Sequence, residues 1–351
     1  MAEAKRPIEP SQPTVMTRNL YLGALLDPAI AAPDAPSAYT AIGDIYKHVQ
    51  DMNFNARAEL LANEIEANDP DLIGLQEVTH WMRDDVVDGP TTQATETVYD
   101  YLDLLMKELD SRGLNYTVAV SQNEADLEFP ADTSGDGSPD FDARMLMRDV
   151  ILAKEGVKVT ATGHGNYSSN AFASTAAFGT VTILRGYTWA DVRINNTDAR
   201  GKKFRFVNTH LESFSAYFRN AQAQELVGGS GVTAVARPII LVGDLNSDPD
   251  DPSSSTPPDL PTPNAAAYNS VIAGGFSDYG LEVNTCCWGE DIRDAPPSAF
   301  TSRIDHVLGK GAVSELSSTL IGNDPANRTG TGLWPTDHGG VVGQLLVGAT
   351  P

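Results

Sequence analysis

The chain has 351 residues, which is too long for a small disulfide-stapled domain and long enough for a large hydrophobic core. Its 47 acidic and 24 basic side chains give a net charge of −23. Such a surface repels polyanions at long range, which argues against a tight, sequence-reading nucleic-acid binder with a basic face. No apolar run reaches the length of a membrane span, so we expect no transmembrane segment.

Residues 1–13 are polar and rich in proline, and they predict a disordered leader. This segment lacks the apolar core of a signal peptide. We expect a secreted protein whose signal peptide has been removed, and a cytoplasmic location is the alternative. Residues 14–351 are predicted to form one domain, because strand and helix patterns intermix along this length without a separating linker.

Hydrophobic periodicity predicts a mixture of strands and helices in chain order. Strands are predicted at residues 15–19, 72–77, 116–120, 150–153, 157–162, 180–193, 204–208, 239–242, 304–308 and 341–347. Helices are predicted at residues 42–49, 56–67, 95–111, 214–227 and 265–273. Loops are expected at residues 80–83 and 250–263. The intermixing is typical of a layered α/β protein.

The stretch PIILVGDLNSDP places two polar residues directly after a buried strand. Asp244 and Asn246 are two residues apart, so an extended backbone points both side chains the same way. Carboxylate and amide oxygens are ligands that Mg²⁺ and Mn²⁺ prefer. An Asx-rich turn is the alternative interpretation.

Other apolar runs end, or are followed closely, by residues that bind metals or transfer protons. These are Asn19, Glu77, Asn208, His210, Asp305, Asp337 and His338. A lone histidine on a strand is often a structural core residue, but both His210 and His338 stand beside residues of the same kind. The repetition favours an active site assembled at strand ends.

The acidic segment DTSGDGSPDFD has the spacing of a calcium-binding loop. Its candidate ligands fall at EF-hand offsets, with a glycine at the sharp turn. They are Asp132, Ser134, Asp136, Ser138 and Asp140. Ala143 stands where the closing glutamate is required, and Asp142 is the candidate replacement. A structural Ca²⁺ and a flexible acidic loop are weighed equally.

The two cysteines, Cys286 and Cys287, are adjacent in the sequence. They are predicted to be either free thiols or a vicinal disulfide, because neighbouring cysteines cannot close an ordinary loop.

Six segments together resemble the endonuclease/exonuclease/phosphatase superfamily: TRNLYLG, DLIGLQEV, NTHLES, GDLNSDP, SRIDHVL and TDHGGV. The resemblance runs from about residue 15 to 347. It implies a four-layer α/β (α+β) sandwich, in which two mixed β-sheets pack face to face between helices. It is closest to secreted bacterial members that share the NLYLG opening and the Cys-Cys pair.

The resemblance also implies metal and water-binding roles. Glu77 resembles the principal metal ligand, assisted by Asn19, and Asp337 is a further metal contact. Asp244 and Asn246 resemble the pair that orients the attacking water and binds the phosphate or a second cation.

Proton and phosphate contacts are implied for the remaining residues. His338 resembles the essential histidine, and Asp305 the carboxylate that fixes its tautomer. His210 resembles the residue that binds phosphate and protonates the leaving oxygen, supported by Asn208. Arg148 is a phosphate-binding candidate, for which Arg144 competes.

These roles predict a Mg²⁺- or Mn²⁺-dependent phosphodiesterase that uses in-line attack of water. DNA is the favoured substrate, contacted only briefly and without a stable nucleic-acid complex. A sphingomyelinase-like phospholipid phosphodiesterase, in which Phe172 and Phe178 would form an apolar loop, or a phosphatase is the alternative. A non-catalytic binding module with the same fold is the rival class. We expect a monomer.

Overall fold

The structure is a computed structural model that describes residues 8–194, 200–254, 260–293 and 300–348. The strands, in chain order, are β1 (Ile8–Glu9), β2 (Thr14–Asn19), β3 (Leu72–Gln76), β4 (His80–Asp84), β5 (Glu96–Asp100), β6 (Tyr116–Ala131), β7 (Phe141–Lys154), β8 (Val157–Asn166), β9 (Ala171–Thr175), β10 (Gly179–Ile183), β11 (Gly186–Ile194), β12 (Arg200–Gly201), β13 (Phe204–His210), β14 (Ile239–Asp244), β15 (Phe276–Asp278), β16 (Asp305–Lys310), β17 (Val313–Ile321) and β18 (Gly340–Val347). The α-helices are α1 (Asp27–Ile30), α2 (Ala35–Asp51), α3 (Phe54–Asn68), α4 (Tyr101–Ser111), α5 (Ala216–Val227) and α6 (Ala266–Ala273), and Pro325–Asn327 form a 3₁₀ turn.

Two mixed sheets carry most of the strands. The larger sheet has the order β17-β18-β2-β3-β7-β4-β5, with β6 also paired to β7, and the smaller has the order β15-β16-β14-β13-β11-β8. Strands β2 and β3 run parallel in the larger sheet, as do β13 and β14 in the smaller one. The remaining pairs within these two sheets are antiparallel.

The two sheets pack face to face between two layers of helices. Successive residues of a strand alternate between the two faces. Val15 therefore lies in the core between the sheets, whereas Met16 packs against helices α2–α4. In the smaller sheet, Ile240 faces the other sheet and Leu241 packs against α5 and α6. Burial on both faces explains why these strands are almost continuously apolar. The predicted four-layer α/β sandwich is confirmed.

Several predicted elements differ from the observed ones. Residues 80–84 form strand β4, not a loop, because they pair with β5 and β7. The predicted helix 95–111 begins only at Tyr101. Asp100 ends strand β5, and its carboxylate accepts hydrogen bonds from the backbone N–H groups of Leu102 (3.0 Å) and Asp103 (3.3 Å). This N-cap fixes the start of the helix, and residues 96–100 pair with β4 instead.

The longest hairpin was only partly predicted. Strands β6 and β7 extend well beyond residues 116–120 and 150–153, and they pair through two register shifts. Glu124 and Glu128 are buried in β6, so a hydrophobic pattern cannot reveal that part of the strand. The predicted strand 180–193 is two strands, β10 and β11, and α2 is longer than predicted.

The predicted leader is not uniformly without structure. Ile8 and Glu9 pair with β12, and Ser11 exchanges backbone hydrogen bonds with Val347. Residues 1–7, and residues 255–259 of the predicted loop 250–263, lie outside the described part of the chain. Among the described residues, helices long and apolar enough to span a membrane are absent.

Candidate active site

Polar side chains from both sheets meet at one edge of the sandwich. Asn19 ends β2, and Glu77 follows β3 directly. His210 and Asp244 end the parallel strands β13 and β14, where they are register partners. Asp305 begins the antiparallel strand β16 and is paired with Asp244. Strand ends that meet at one edge thus gather these residues.

His338 precedes β18 and is held against Asp305. Its Nδ1 lies 2.9 Å from Asp305 Oδ2, and Thr285 Oγ1 donates to the same oxygen at 2.7 Å. Burial alone would lower the pKa of His338, but the charges of Asp305 and Asp337 outweigh it and raise that pKa well above its ordinary value. Asp305 thus orients the imidazole and stabilises its protonated form.

The backbone carbonyl of His338 is anchored separately. Arg18, which is buried, donates to that carbonyl and, at 3.1 Å, to Thr336 Oγ1. The same guanidinium pairs with the buried Glu64 carboxylate at 2.9 Å. Helix α3 therefore helps to position the loop that carries the histidine.

Asp244 lies at the centre of the cluster and is almost fully buried. Its Oδ2 is 3.8 Å from His338 Nε2 and 3.5 Å from His210 Nε2, and it accepts a hydrogen bond from Asn19 Nδ2 at 3.2 Å. Burial, followed by the charge of Asp305, raises the pKa of Asp244 to about 7. The side chain can therefore bind or release a proton near neutral pH.

Glu77 and Asp337 are half-buried and line the same cavity. Glu77 has a left-handed backbone, with φ 53°, and its Oε2 accepts from the N–H of Leu22 at 2.7 Å. Asp337 Oδ1 is buried and has no hydrogen-bond partner among the described residues. Burial raises the pKa of Asp337 to about 6. The charge of His338 acts against this rise, and the charge of Glu77 adds to it. Two neighbouring carboxylates, one of them unsatisfied, fit a divalent cation.

Asn19 contacts Asp244 and the backbone, and its role as a metal ligand stays a prediction. Its Oδ1 accepts from the Tyr21 N–H at 2.9 Å, and its amide donates to Asp244. The side chain therefore orients a carboxylate in this structure, and its oxygen is already hydrogen-bonded to the protein.

His210 is buried and contacts a cation that sequence reasoning missed. Arg185, placed between β10 and β11, donates to His210 Nδ1 at 2.9 Å. The same guanidinium nitrogen lies 3.3 Å from Nε2, and because a guanidinium only donates, the ring nitrogen that accepts its proton carries a lone pair. Burial, then the charges of Arg185 and His338, lowers the pKa of His210 well below its ordinary value. The neutral ring is a hydrogen-bond donor and a poor proton donor.

Asn246 completes this side of the site. Its backbone is left-handed, with φ 48°, and its N–H donates to Asp244 Oδ1 at 2.8 Å. The side-chain amide lies 3.1 Å from His210 Nε2 and donates to the Leu211 carbonyl at 3.0 Å. Left-handed backbone at non-glycine residues is strained and tends to cluster at functional sites.

The two predicted phosphate contacts are engaged elsewhere. Asn208 is buried between the sheets, where its Oδ1 accepts from Gln76 Nε2 at 2.6 Å and its amide donates to the Leu75 carbonyl at 3.0 Å. Arg148 pairs with Asp100 at 2.5 Å and donates to the Val78 carbonyl. Asn208 links the two sheets, and the cation directed into the site is Arg185.

The acidic loop 132–142 is organised by its own hydrogen bonds. Asp132 accepts from the N–H groups of Ser134, Gly135 and Gly137 at 2.7–2.8 Å. Asp140 accepts from the N–H of Thr133. Asp142 Oδ2 accepts from the N–H groups of residues 88 and 89. The remaining candidates, Ser134, Asp136 and Ser138, lie in the turn itself. The carboxylate of Asp132 is thus occupied by donors, so calcium binding stays a prediction.

Cys286 and Cys287 form a disulfide that borders the site. Their Sγ atoms lie 3.6 and 3.9 Å from His338 Nε2. The sequence left thiols and a disulfide open and did not place the pair beside the histidine. The sequence signal for the position of the cysteines was that the only two in the chain stand shortly before SRIDHVL. The sequence offered no signal for Arg185, which is a single arginine between two strands.

Comparison with known proteins agrees with this architecture. The family model described as the Endonuclease/Exonuclease/phosphatase family matches residues 49–338. The search of curated proteins found no match. The fold is similar to that of an endonuclease/exonuclease/phosphatase family protein from Bacteroides thetaiotaomicron, with 16% identity over 97% of this chain and 100% of the other, and a TM-score of 0.56.

Two further solved structures have the same fold. A mannosyl-6-phosphatase from Bacteroides thetaiotaomicron has 18% identity, coverage of 95% and 98%, and a TM-score of 0.51. TDP2 from D. rerio, complexed with single strand DNA product, has 15% identity, coverage of 95% and 99%, and a TM-score of 0.52. With the match of the family model over most of the chain, this protein belongs to the endonuclease/exonuclease/phosphatase family.

Proposed function

We propose that this protein is a divalent-metal-dependent phosphodiesterase that hydrolyses its substrate by in-line attack of water. The observation that supports the proposal best is the Asp305–His338 pair, aimed at Asp244 on the same edge as Glu77 and Asp337. A binding module without catalysis would have no need to keep a histidine protonated and oriented beside clustered carboxylates.

Glu77 and Asp337 are the residues that would hold the cation, with Asp244 close by. A bound Mg²⁺ or Mn²⁺ would neutralise charge that develops on the phosphoryl oxygens and lower the pKa of bound water. The unsatisfied Oδ1 of Asp337 and the mutual repulsion of Asp337 and Glu77 are what such an ion would relieve.

The residues of the chain supply orientation and proton transfer. Asp244, steadied by the Asn246 N–H, positions the attacking water and accepts its proton. The water oxygen bonds to phosphorus as the opposite P–O bond breaks. The leaving oxygen takes a proton from solvent water, and Asp244 returns to solvent the proton that it accepted. His338 donates a charged hydrogen bond to the phosphoryl group, and the neutral ring of His210 contacts the same group.

DNA is the substrate that the sequence favours. The net charge of −23 opposes steering of a polyanion, and Arg148 and Arg144 are paired with Asp100 and Asp126. We also propose a single catalytic domain over residues 14–351, a monomeric state and secretion. Sphingomyelinase-like hydrolysis draws support from the apolar cavity described below.

The test is hydrolysis of bis(4-nitrophenyl) phosphate after EDTA treatment, before and after Mg²⁺ or Mn²⁺ is restored. We expect activity only with the cation, and Glu77→Gln should lower kcat/KM by about 10²-fold or more, as loss of one transition-state interaction commonly does. Glu59→Gln, at an exposed position of α3, is the matched control. Full turnover in EDTA would contradict the proposal.

A further inference from the structure

A large apolar cavity opens beside the catalytic carboxylates. Its volume is about 400 Å³, within the range of small-molecule pockets. It lies between the β6–β7 hairpin, the segment 21–30 with α2, and the β9–β10 hairpin. Apolar side chains form most of its wall, among them Leu127, Phe129, Met145, Phe178 and Val181.

The polar groups that line the cavity include the catalytic ones. Glu77 and Asp337, the proposed cation ligands, and Arg185, which contacts His210, all line it. The cavity is therefore continuous with the place where a phosphoryl group would react. A ligand that binds here can have its phosphate at the cluster and its remainder against apolar side chains.

The cavity reaches the surface through hydrophobic side chains. Leu25 and Phe214 line it and are 47% and 52% exposed. Phe178, which the sequence placed either in a loop or in the core, stacks on Phe129 in the wall at 4.4 Å. Phe172 is 61% exposed on the outer face of the same hairpin, where its ring lies 6.2 Å from that of Phe218, and it is not part of the cavity wall. Large exposed apolar side chains at the mouth of a pocket favour an apolar ligand.

The β9–β10 hairpin has one face toward the cavity and one outer face. Ala173 and Thr175 line the cavity, and Val181 is the cross-strand partner of Ala173. Ser174, between them, is exposed on the opposite face because strand side chains alternate. The wall can therefore be altered at one position and a matched outer position used as the control.

A nucleotide chain suits this wall poorly. Bases and sugars carry polar groups, and burying them against alkyl and aromatic side chains leaves hydrogen bonds unmade at a cost that apolar contact does not offset. An alkyl chain has no hydrogen bonds to lose when it moves from water into the cavity, and each methylene removed from water contributes favourable transfer free energy. At roughly 30 Å³ for each water-sized group, the cavity accepts on the order of a dozen methylenes.

We propose that the substrate is an amphiphilic phosphate diester, with its phosphate at the catalytic cluster and a single long alkyl chain in this cavity. The inference rests on the proposed phosphodiesterase function and adds the substrate class. The reaction is the same hydrolysis: water adds to phosphorus, one P–O bond breaks, and the released oxygen takes a proton.

The test is a series of alkyl 4-nitrophenyl phosphates with methyl, butyl, octyl and dodecyl chains, assayed with Mg²⁺ below the micelle concentration of each. We expect kcat/KM to rise with chain length, by up to about fourfold for each methylene buried, from about 0.8 kcal/mol of transfer free energy. Ala173→Phe should flatten this dependence, whereas Ser174→Phe should keep it. Val181→Trp replaces Ala173→Phe if the latter does not fold.

Dodecyl phosphate binding, measured by calorimetry, separates failure of this inference from failure of the proposed function. An active enzyme with equal kcat/KM for methyl and dodecyl diesters would overturn the inference alone. If no diester is hydrolysed, the proposed phosphodiesterase function is wrong. The alkyl-chain site is then tested by the binding of alkyl phosphates alone. Dodecyl phosphate that binds more tightly than butyl phosphate, with the gain lost in Ala173→Phe, supports the chain site; equal affinities refute it.

Discussion

Replacing Asp305 with asparagine should nearly abolish catalysis while leaving the fold intact. Asparagine has almost the same shape, but it removes the negative charge 2.9 Å from His338 Nδ1. If its amide nitrogen faces the ring, Nδ1 has to accept a hydrogen bond and the proton moves to Nε2. The charged donor proposed to bind the phosphoryl group is then lost.

The size of the effect follows from the geometry. Two unit charges at 2.9 Å interact by about 6 kcal/mol at an effective dielectric constant of about 20. Without that interaction, the effect of burial is opposed mainly by Asp337, and the pKa of His338 falls. Loss of a correctly protonated group typically costs about 10²–10⁴-fold in rate, so we expect kcat/KM to fall by that factor.

The assay is kcat/KM for bis(4-nitrophenyl) phosphate across pH, with thermal unfolding as the check on folding. Thr285→Val provides a graded comparison, because it keeps the charge of Asp305. It removes a hydroxyl that accepts from the backbone N–H groups of Ile304 (3.2 Å) and Asp305 (3.1 Å) and donates to the Asp305 carboxylate at 2.7 Å. Loss of one such bond, about 1 kcal/mol, should cost roughly fivefold. If Asp305→Asn retains activity within tenfold of the natural protein, Asp305 does not control the state of His338.

His210→Ala should lower kcat/KM equally for bis(4-nitrophenyl) phosphate and a dialkyl phosphate, because burial keeps the pKa of His210 well below its ordinary value and the neutral ring cannot act as the general acid. A much larger loss on the dialkyl ester would show general acid catalysis. Burial opposes ionisation of Asp278, but the hydrogen bond and charge of His306 hold its pKa below the ordinary value. The ionised Asp278 therefore contributes its full stability above a pH of about 4, and this contribution is lost as the pH falls. The free energy of unfolding in urea should differ between Asp278→Asn and the natural protein at pH 7, and the two values should converge in acid. A difference that stays constant with pH would argue against this linkage. Gly74→Ala would bring a methyl group 2.7 Å from Asn208 Oδ1, and we expect a loss of about 1–3 kcal/mol in the free energy of unfolding; an unchanged urea midpoint would contradict that packing.

The strand-end residues were predictable because their signal is local. A buried apolar run followed by Asp244 and Asn246 reveals both the strand and the direction of the side chains. The same reasoning brought Glu77 and His338 to one edge, and the family resemblance supplied the sandwich, which is confirmed.

Residues that depend on pairing between distant strands were harder to assign. Asn208 has the right chemistry for a phosphate contact, yet its neighbour across the sheets, Gln76, takes up its oxygen. Arg185 reaches His210 only because β11 pairs with β13. Polar, buried residues such as Glu124 interrupt the hydrophobic pattern of β6, and long-range pairing, not propensity, makes that segment a strand.

The order in which the sheets are built has a consequence for the nascent protein. Strand β18, near the end of the described chain, pairs with β2, and Val341 faces Thr17 across that ladder. A polypeptide emerging from the ribosome can complete neither the larger sheet nor the loop that carries His338 until residues 338–347 have been synthesised. The proposed site therefore forms only in a chain that contains residues 338–347, and a chain that stops before them should lack the proposed activity.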